Sequence, residues 1–500
     1  MGFMKGSVGN VMMGHAAYIA VMVALWVSVP HAALTDVSRG LIVVGVIGAW
    51  RYTWAAVNFA RAMIYLKRAF PRMRARAEAA YAARPIAAHG YFLTTSYKIE
   101  VDTTTRVYRS IFQAAQASAG GATIVASVVD GADARLIRQI FATMPYDMSR
   151  VALLIDQIPG TGKRDALARS LRLIARAAPT RHDVVILVDG DSCVPTDIVA
   201  RTAPFFTDPR VGALTTDEAV EIRDPGLFRD WFALRFTQRQ VMMSSMGLSG
   251  RVLTLTGRMS VFRADLATAP DFINLVQNDY IDHWRLGRVN FLTGDDKSTW
   301  FWLLKAGYQM AYLPDVQSLS METQPKPGFV DSAVTLMIRW FGNMLRTNGR
   351  ALALSPNHVG WFVWWSILDQ RLGIWTTLAG PISVILGGIF ISPLVIPVYV
   401  AWVLFTRYVF CWLLSAVRGR GFPISYPFLL YFGQIVGAAV KSFVLFRLDR
   451  QRWTRQSTPG AGRLLALNWG ARARVWSSAY IHTLALGWLT FAVCLLGGIL

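Results

Sequence analysis

At 500 residues, 54% hydrophobic and 16% charged, the chain is too apolar for a wholly soluble protein, in which about a quarter of residues are charged. The apolar excess lies at the two ends, around a middle of ordinary polarity, so a membrane protein carrying one soluble domain is expected. The net charge of +21 comes with no Lys/Arg-rich tail and no nucleic-acid-binding motif, which sets nucleic acid aside as a partner; basic flanks of membrane spans and a polyanionic substrate account for it better.

In chain order, residues 1–79 read as two spans and a basic linker. The first is 16–34. The second, 41–60, is interrupted by Arg51 and followed by Arg61, Lys67, Arg68, Arg72, Arg74 and Arg76, a cluster that places the next domain on the cytoplasmic side. Residues 80–330 form that soluble domain. Strands are predicted at 90–97, 122–130, 151–158, 183–191 and 211–218, and the segments LIRQIFATM and DALARSLRLIARA between them have helical periodicity. This is an α/β pattern with a largely parallel sheet. Ligands in such sheets sit at the carboxyl ends of strands, so acidic residues there carry the most weight.

Asp130 ends the second strand. PGTGKRDAL (159–167) then invites comparison with a nucleotide P-loop. The Walker pattern requires glycine where Gln157 stands and Ser or Thr where Arg164 stands, so the P-loop fails; Lys163 and Arg164 are instead expected to face a diphosphate or a nucleobase. Asp189-Gly-Asp191 ends the apolar run VVILV. An isolated Asp-Gly is usually a turn, but two carboxylates spaced by glycine behind a buried strand suit a divalent ion, Mg2+ or Mn2+, held against substrate phosphates. In Thr293-Gly-Asp295-Asp296-Lys297 the adjacent carboxylates leave the backbone in different directions. One can take a proton from a hydroxyl nucleophile, and Asp also favours the cap of the helix predicted to follow. Glu322 precedes Arg339-Trp340; a loop carboxylate and a membrane-interface tryptophan are the duller readings.

Residues 331–370 are read as interfacial helices, with GWFVWWSIL (360–368) too short to cross. Residues 371–447 hold spans near 372–391 and 393–416 and a helix at 426–446, which Lys441, Pro423, Pro427 and the basic run after it place at the interface. A loop region, 448–475, leads to a last span in 476–500. The count is five crossings, with six as the alternative. Arg51 and Arg407 fall inside spans, where arginines face cavities or partners; with Lys441 they are expected to line a path for an anionic polymer, snorkelling or structural pairing being the alternatives. Cys193, Cys411 and Cys494 have no metal or disulfide spacing and read as reduced thiols.

Asp130, GKR (162–164), Asp189/Asp191, GDD (294–296), Arg339-Trp340 and Trp453-Thr454-Arg455 occur in that order. In this the chain resembles the processive, membrane-embedded family 2 glycosyltransferases, the cellulose, chitin and hyaluronan synthases. IPGTGKRDAL, LTGRMSVFRA, FLTGDDKSTWF and RLDRQRWTRQ are most similar to the alginate-polymerising members, over nearly the whole chain. The resemblance implies a GT-A glycosyltransferase domain between transmembrane helices of a bacterial inner-membrane protein. It implies a GDP-mannuronic acid donor, a growing β-1,4-polymannuronate chain as acceptor, and a co-polymerase subunit with a cyclic-di-GMP receptor domain. By that resemblance Asp296 is the general base, Asp189 and Asp191 hold the metal, and Asp130, Lys163 and Arg164 contact the nucleotide. Arg339 and Arg455 neutralise the diphosphate, Trp340 meets an acceptor sugar with Glu322 nearby, and Trp453–Arg455 form a gating loop. The family's glutamine before the Arg-Trp pair is absent from Leu336-Met-Ile-Arg-Trp340. A cellulose- or hyaluronan-like synthase using a UDP-sugar is the alternative enzyme; a membrane scaffold with a dead transferase domain is disfavoured by the intact aspartates.

Overall fold

The computed structural model describes residues 8–30, 34–84, 86–145, 147–223, 226–451 and 469–500. The N-terminal helices are α1 (Val8–Val27), α2 (Leu34–Gly40) and α3 (Ile42–Ile64), the last passing through a π-helical turn, Tyr65–Ala69, into α4 (Phe70–Ala82). The soluble domain then alternates β1 (Gly90–Ser96), α5 (Val101–Gln116), β2 (Ala122–Val128), α6 (Gly131–Ala142), β3 (Val151–Gln157), α7 (Lys163–Arg176) and β4 (Val184–Asp189). It continues through β5 (Ser192–Cys193), α8 (Ile198–Thr202), β6 (Val211–Glu221), α9 (Leu227–Gly247), β7 (Met259–Arg263), α10 (Ala264–Ala267) and α11 (Pro270–Asn278). The hairpin β8 (Tyr280–His283) and β9 (Gly287–Asn290), α12 (Asp295–Lys305) and β10 (Gln309–Met321) complete it. Then come α13 (Phe329–Leu352), α14 (Pro356–Val359), α15 (Trp361–Phe390), α16 (Val395–Arg418), α17 (Ser425–Leu445) and α18 (Trp469–Leu496).

Eight strands form one sheet in the order β3-β2-β1-β4-β7-β6-β10-β5. The first four are mutually parallel, β7 is antiparallel to both β4 and β6, and β6 is parallel to β10. The expected α/β sheet is present, but it is mixed. Helices cover both faces of its parallel half, so Phe92, Leu93, Ile124, Val125 and Ile186 are fully buried; such strands read as continuous apolar runs, which is why they are legible in the sequence. β7 and β10 are not predicted. β7 has five residues, and β10 is broken by Pro314 after its apolar half, accommodated by a register shift between Leu313 and Gln317.

Two reversals bring one edge of the sheet into register. With β7 reversed, β6 and β10 run the same way as β1–β4, so the carboxyl ends of six strands face one side. Helices α9, α13 and α17 pack together there, in a second apolar core built around Trp231, Phe232, Leu336, Met337 and Leu430. Arg418, in the last turn of α16, docks this bundle on the sheet by pairing with the buried Asp217 of β6 at 2.6 Å. The basic cluster after α3 has tertiary partners as well. Arg61 donates to Ser249 Oγ at 2.8 Å, and Arg74 pairs with Asp315 at 2.7 Å.

By length and composition, four helices are apolar enough to cross a membrane: Trp361–Phe390, Val395–Arg418, Ser425–Leu445 and Arg472–Leu496. Val11–Val27 is a shorter apolar helix, and it ends ahead of Pro30 rather than continuing to residue 34. GWFVWWSIL is not a separate interfacial helix. It forms the first turns of the 30-residue α15, which runs on through Pro381, so the expected boundary at 370/371 falls inside a helix. Ser425–Leu445, expected at the interface, also has a spanning length.

Candidate active site

The strand ends and the α9–α13 wall enclose a cavity of about 740 Å³, within the range of small-molecule sites. Asp189 and Asp191, at the end of β4, both line it. Gly190 lets the strand turn there: a Cβ would lie 2.4 Å from Ile99 Cδ1 and 2.9 Å from the Thr95 carbonyl oxygen. Lys163, the first residue of α7, donates to Asp189 Oδ1 at 2.6 Å and lies 3.1 Å from Asp295 Oδ2. One ammonium thus ties the D-x-D turn to the GDD loop, a link the sequence motifs do not reveal.

Arg164 does not face the cavity, contrary to expectation. Successive helix residues point about 100° apart, so Arg164 turns inward. It is buried and donates to the carbonyls of Val276 (2.9 Å) and Thr293 (3.2 Å) and to Ser298 Oγ (2.8 Å). It braces the GDD loop from behind.

That loop is built on Gly294, whose φ of +84° favours glycine and where a Cβ would come within 2.8 Å of Asn343 Cγ. Gly294, not an aspartate, occupies the cap position of α12; Asp295 and Asp296 fill its first turn, where the helix dipole favours carboxylates. Their environments differ. Burial alone would raise Asp295, but the charges of Lys163 and Arg164 hold it below the usual range. Asp296, on the cavity wall, is pushed up to about 6 by burial and then by the Asp295 charge. Lys297 is pushed down to about 8 by burial, and its Nζ donates to the Leu253 carbonyl at 2.7 Å. Two adjacent carboxylates, one held ionised and one poised near neutrality, are the environment-set division seen in acid–base sites.

Helix α13 supplies the facing wall. Arg339, Asn343, Arg346 and Arg350 recur at helical spacing on one face. Arg339 lines the cavity. Thr293 Oγ1 and Arg346 both donate to Asn343 Oδ1 at 2.6 Å, and Arg350 pairs with Asp279 at 2.6 Å. Only the first of these four was singled out from sequence; the period-3.6 polar stripe is the signal that identifies the others. Trp340 lines the cavity and stacks on Trp231, centroids 5.7 Å apart.

Glu322, just beyond β10, faces the cavity paired with Arg258 at 2.7 Å. Burial alone would raise it; Arg258 foremost, then Arg339, keep it low. Arg258 also lies 3.6 Å from Glu218 of β6, which accepts a hydrogen bond from Thr256. Glu218 and Arg258 line the cavity and were missed, since neither belongs to a recognised motif although Arg258 lies in LTGRMSVFRA.

Asp130 caps α6, accepting from the Ala132 N–H at 2.9 Å, and is not among the cavity-lining residues. Trp453, Thr454 and Arg455 lie outside the described residues. The chain leading to them lies along the loop before GDD: Gln451 Nε2 donates to the Asn290 carbonyl at 2.9 Å. Arg407 donates to Thr406 Oγ1 at 3.0 Å. Arg51 is spoken for: it pairs with Asp369 of α15 at 2.7 Å and donates to Thr376 Oγ1 at 2.6 Å. Structural pairing thus describes Arg51 better than a channel foothold. Arg51→Leu alone is expected to lower the yield of folded protein from size-exclusion chromatography, and adding Asp369→Leu to recover it, because stranding one buried charge costs about 3–5 kcal/mol while removing both is often neutral. A single variant with wild-type yield would reject the pairing role.

The model of the family "Glycosyltransferase like family 2" matches residues 91–343, which takes in the sheet, the cavity and the α13 wall. Among relatives, the chain is 39% identical over 482 residues to "Glycosyltransferase alg8" of Pseudomonas syringae pv. tomato, covering 95% of this chain and 97% of that one. To "Glycosyltransferase alg8" of Azotobacter vinelandii it is 40% identical over 484 residues, with the same coverage. Among solved structures it is similar to the Pyrobaculum calidifontis mannosyltransferase PcManGT at 17% identity and TM-score 0.43, covering 77% of this chain and 97% of that one. The chain is a glycosyltransferase that belongs to family 2 and groups with the alg8 glycosyltransferases.

Proposed function

We propose that the chain is a processive, inverting glycosyltransferase that polymerises mannuronic acid from GDP-mannuronic acid into β-1,4-polymannuronate and passes the chain across a bacterial inner membrane, its catalytic domain on the cytoplasmic side. The observation that carries the chemistry is the cavity holding Asp189, Asp191 and an Asp296 raised to about 6. The alginate polymer is supported by the alg8 relatives and by the stretches quoted above.

The 4-hydroxyl of the growing chain attacks the anomeric carbon, and Asp296 accepts its proton. Asp295, held ionised by Lys163, fixes the loop that presents Asp296. Arg258 and Arg339 place positive charge on the same wall, where a departing diphosphate gathers negative charge. Asp189 and Asp191 fit a hard divalent ion: both are oxygen donors on the cavity wall, and Mg2+ is commonly held by one or two carboxylates with phosphates supplying the rest. Phosphate oxygens and water would supply the remaining ligands. When bound, Mg2+ or Mn2+ offsets charge on the leaving diphosphate. Activation by a cyclic-di-GMP-receptor subunit belongs to the same reading.

The test uses membrane vesicles containing the chain and that subunit, supplied with GDP-mannuronic acid, magnesium and cyclic-di-GMP. Polymer and GDP release are expected. Turnover with a UDP-sugar but not with this donor would keep the fold and overturn the alginate assignment.

A further inference from the structure

Most cations on the cavity wall are neutralised: Lys163 by Asp189 and Asp295, and Arg258 by Glu322 and Glu218. Arg235 of α9 is different. It lines the cavity beside Trp340 and Trp231, its guanidinium carbon 4.5 Å and 5.2 Å from their ring centroids. No carboxylate among the described residues pairs with it, and burial followed by the like charge of Arg258 pushes it down to about 10. A second cation, Lys441 of α17, is not itself a cavity-lining residue but stands behind one and feels the charge of Arg235. Lys441 Nζ lies 4.7 Å over the ring of Phe341, itself a cavity-lining residue. Lys441 faces into the bundle: Gly437, one turn earlier on the same face of α17, presents its Cβ position to the Phe341 ring at 3.6 Å. The charged groups acting on Lys441 are Arg235, Arg51 and Asp369, and Asp369 is already taken by Arg51 at 2.7 Å.

Two neighbouring, largely buried cations, one with no paired carboxylate among the described residues and one sharing Asp369 with Arg51, are costly. The cost is recovered when an anion binds between them. Their setting says which kind. Each cation is laid against a ring that faces the cavity, Arg235 on Trp340 and Lys441 on Phe341. An aromatic surface takes the apolar face of a pyranose, and a guanidinium takes a carboxylate in bidentate fashion. The diphosphate is expected beside Arg339, whose charge acts on Asp189 and Asp191.

We infer that Arg235 and Lys441, set against Trp340 and Phe341, form a subsite that binds the carboxylate of a sugar-acid unit of the growing chain. The inference rests on the reading that the chain polymerises a sugar acid, and it assigns the selection for that charge to two residues outside every motif.

The test is binding of fluorescent oligomannuronate, and of the same oligomer reduced at its carboxyls to neutral mannose units, to the full-length chain in nanodiscs of zwitterionic lipid. Wild type is expected to prefer the acidic oligomer. Arg235→Gln and Lys441→Gln should each weaken it about tenfold or more and leave the neutral oligomer unchanged, while Arg235→Lys retains most of the preference. GDP binding reports that each variant is folded. Equal wild-type affinity for both oligomers, or variants that bind the acidic one as wild type does, would overturn the subsite. Turnover of GDP-mannuronic acid in nanodiscs that also hold the cyclic-di-GMP-receptor subunit, with magnesium and cyclic-di-GMP, tests the underlying reading separately. Turnover without charge preference rejects the subsite alone; charge preference without turnover rejects the donor and leaves the subsite.

Discussion

Asp296→Asn is expected to lower kcat by about 10²–10⁴-fold with little change in the KM for donor, because a general base acts on the proton in flight and not on nucleotide binding. The expectation comes from a contrast between neighbours. Asp295 and Asp296 share the first turn of α12, yet only Asp295 reaches Lys163. Asp296 is pushed up to about 6, first by burial and then by the charge beside it. A base must be unprotonated to work. The wild-type rate should therefore be flat well above pH 6 and fall, close to tenfold per pH unit, as pH drops below about 6. Because the Asp295 charge is part of what raises Asp296, Asp295→Asn should move the acid limb to lower pH. A pH–rate profile of released GDP checks both statements. Full turnover by Asp296→Asn would remove it as the base; an acid limb unmoved in Asp295→Asn would remove the coupling.

Arg164→Ala is expected to cost about 3 kcal/mol or more of stability, by stranding the buried Val276 and Thr293 carbonyls and removing the bond to Ser298 Oγ. For a domain of this size that lowers the apparent melting temperature by on the order of 5–10 °C. The KM for donor in the folded fraction should stay near wild type, since the guanidinium points away from the cavity. Thermal unfolding and donor kinetics on one preparation separate the roles. A normal melting temperature with a raised KM would return Arg164 to the nucleotide.

Arg164 also shows where reading a sequence stops. GKR is visible as a motif, and its position before a helical period places it on the first turn of α7. Which of its two cations meets substrate depends on the rotation of that helix against the sheet. The outcome was one each: Lys163 into the cavity, Arg164 into the core. In the same way the D-x-D turn and the GDD loop were legible because strand ends, glycine turns and helix starts are local. Their junction through Lys163 was not, because nothing near Asp189 in sequence announces a partner 26 residues upstream.

What the sequence determined by itself is therefore the local part: the apolar strands, the alternating helices, the apolar termini and the acidic residues at strand ends. These follow from periodicity and turn chemistry within a few residues of each site. Tertiary structure alone decided the reversal at β7, the pairing of Arg51 with a residue 318 positions away, the Glu218–Arg258–Glu322 network, and the opposite shifts of two adjacent aspartates. The reason is common to all four. The energy of a buried charge or an edge hydrogen bond depends on distance through space and on exclusion of water, and both are created only when remote segments close around the site.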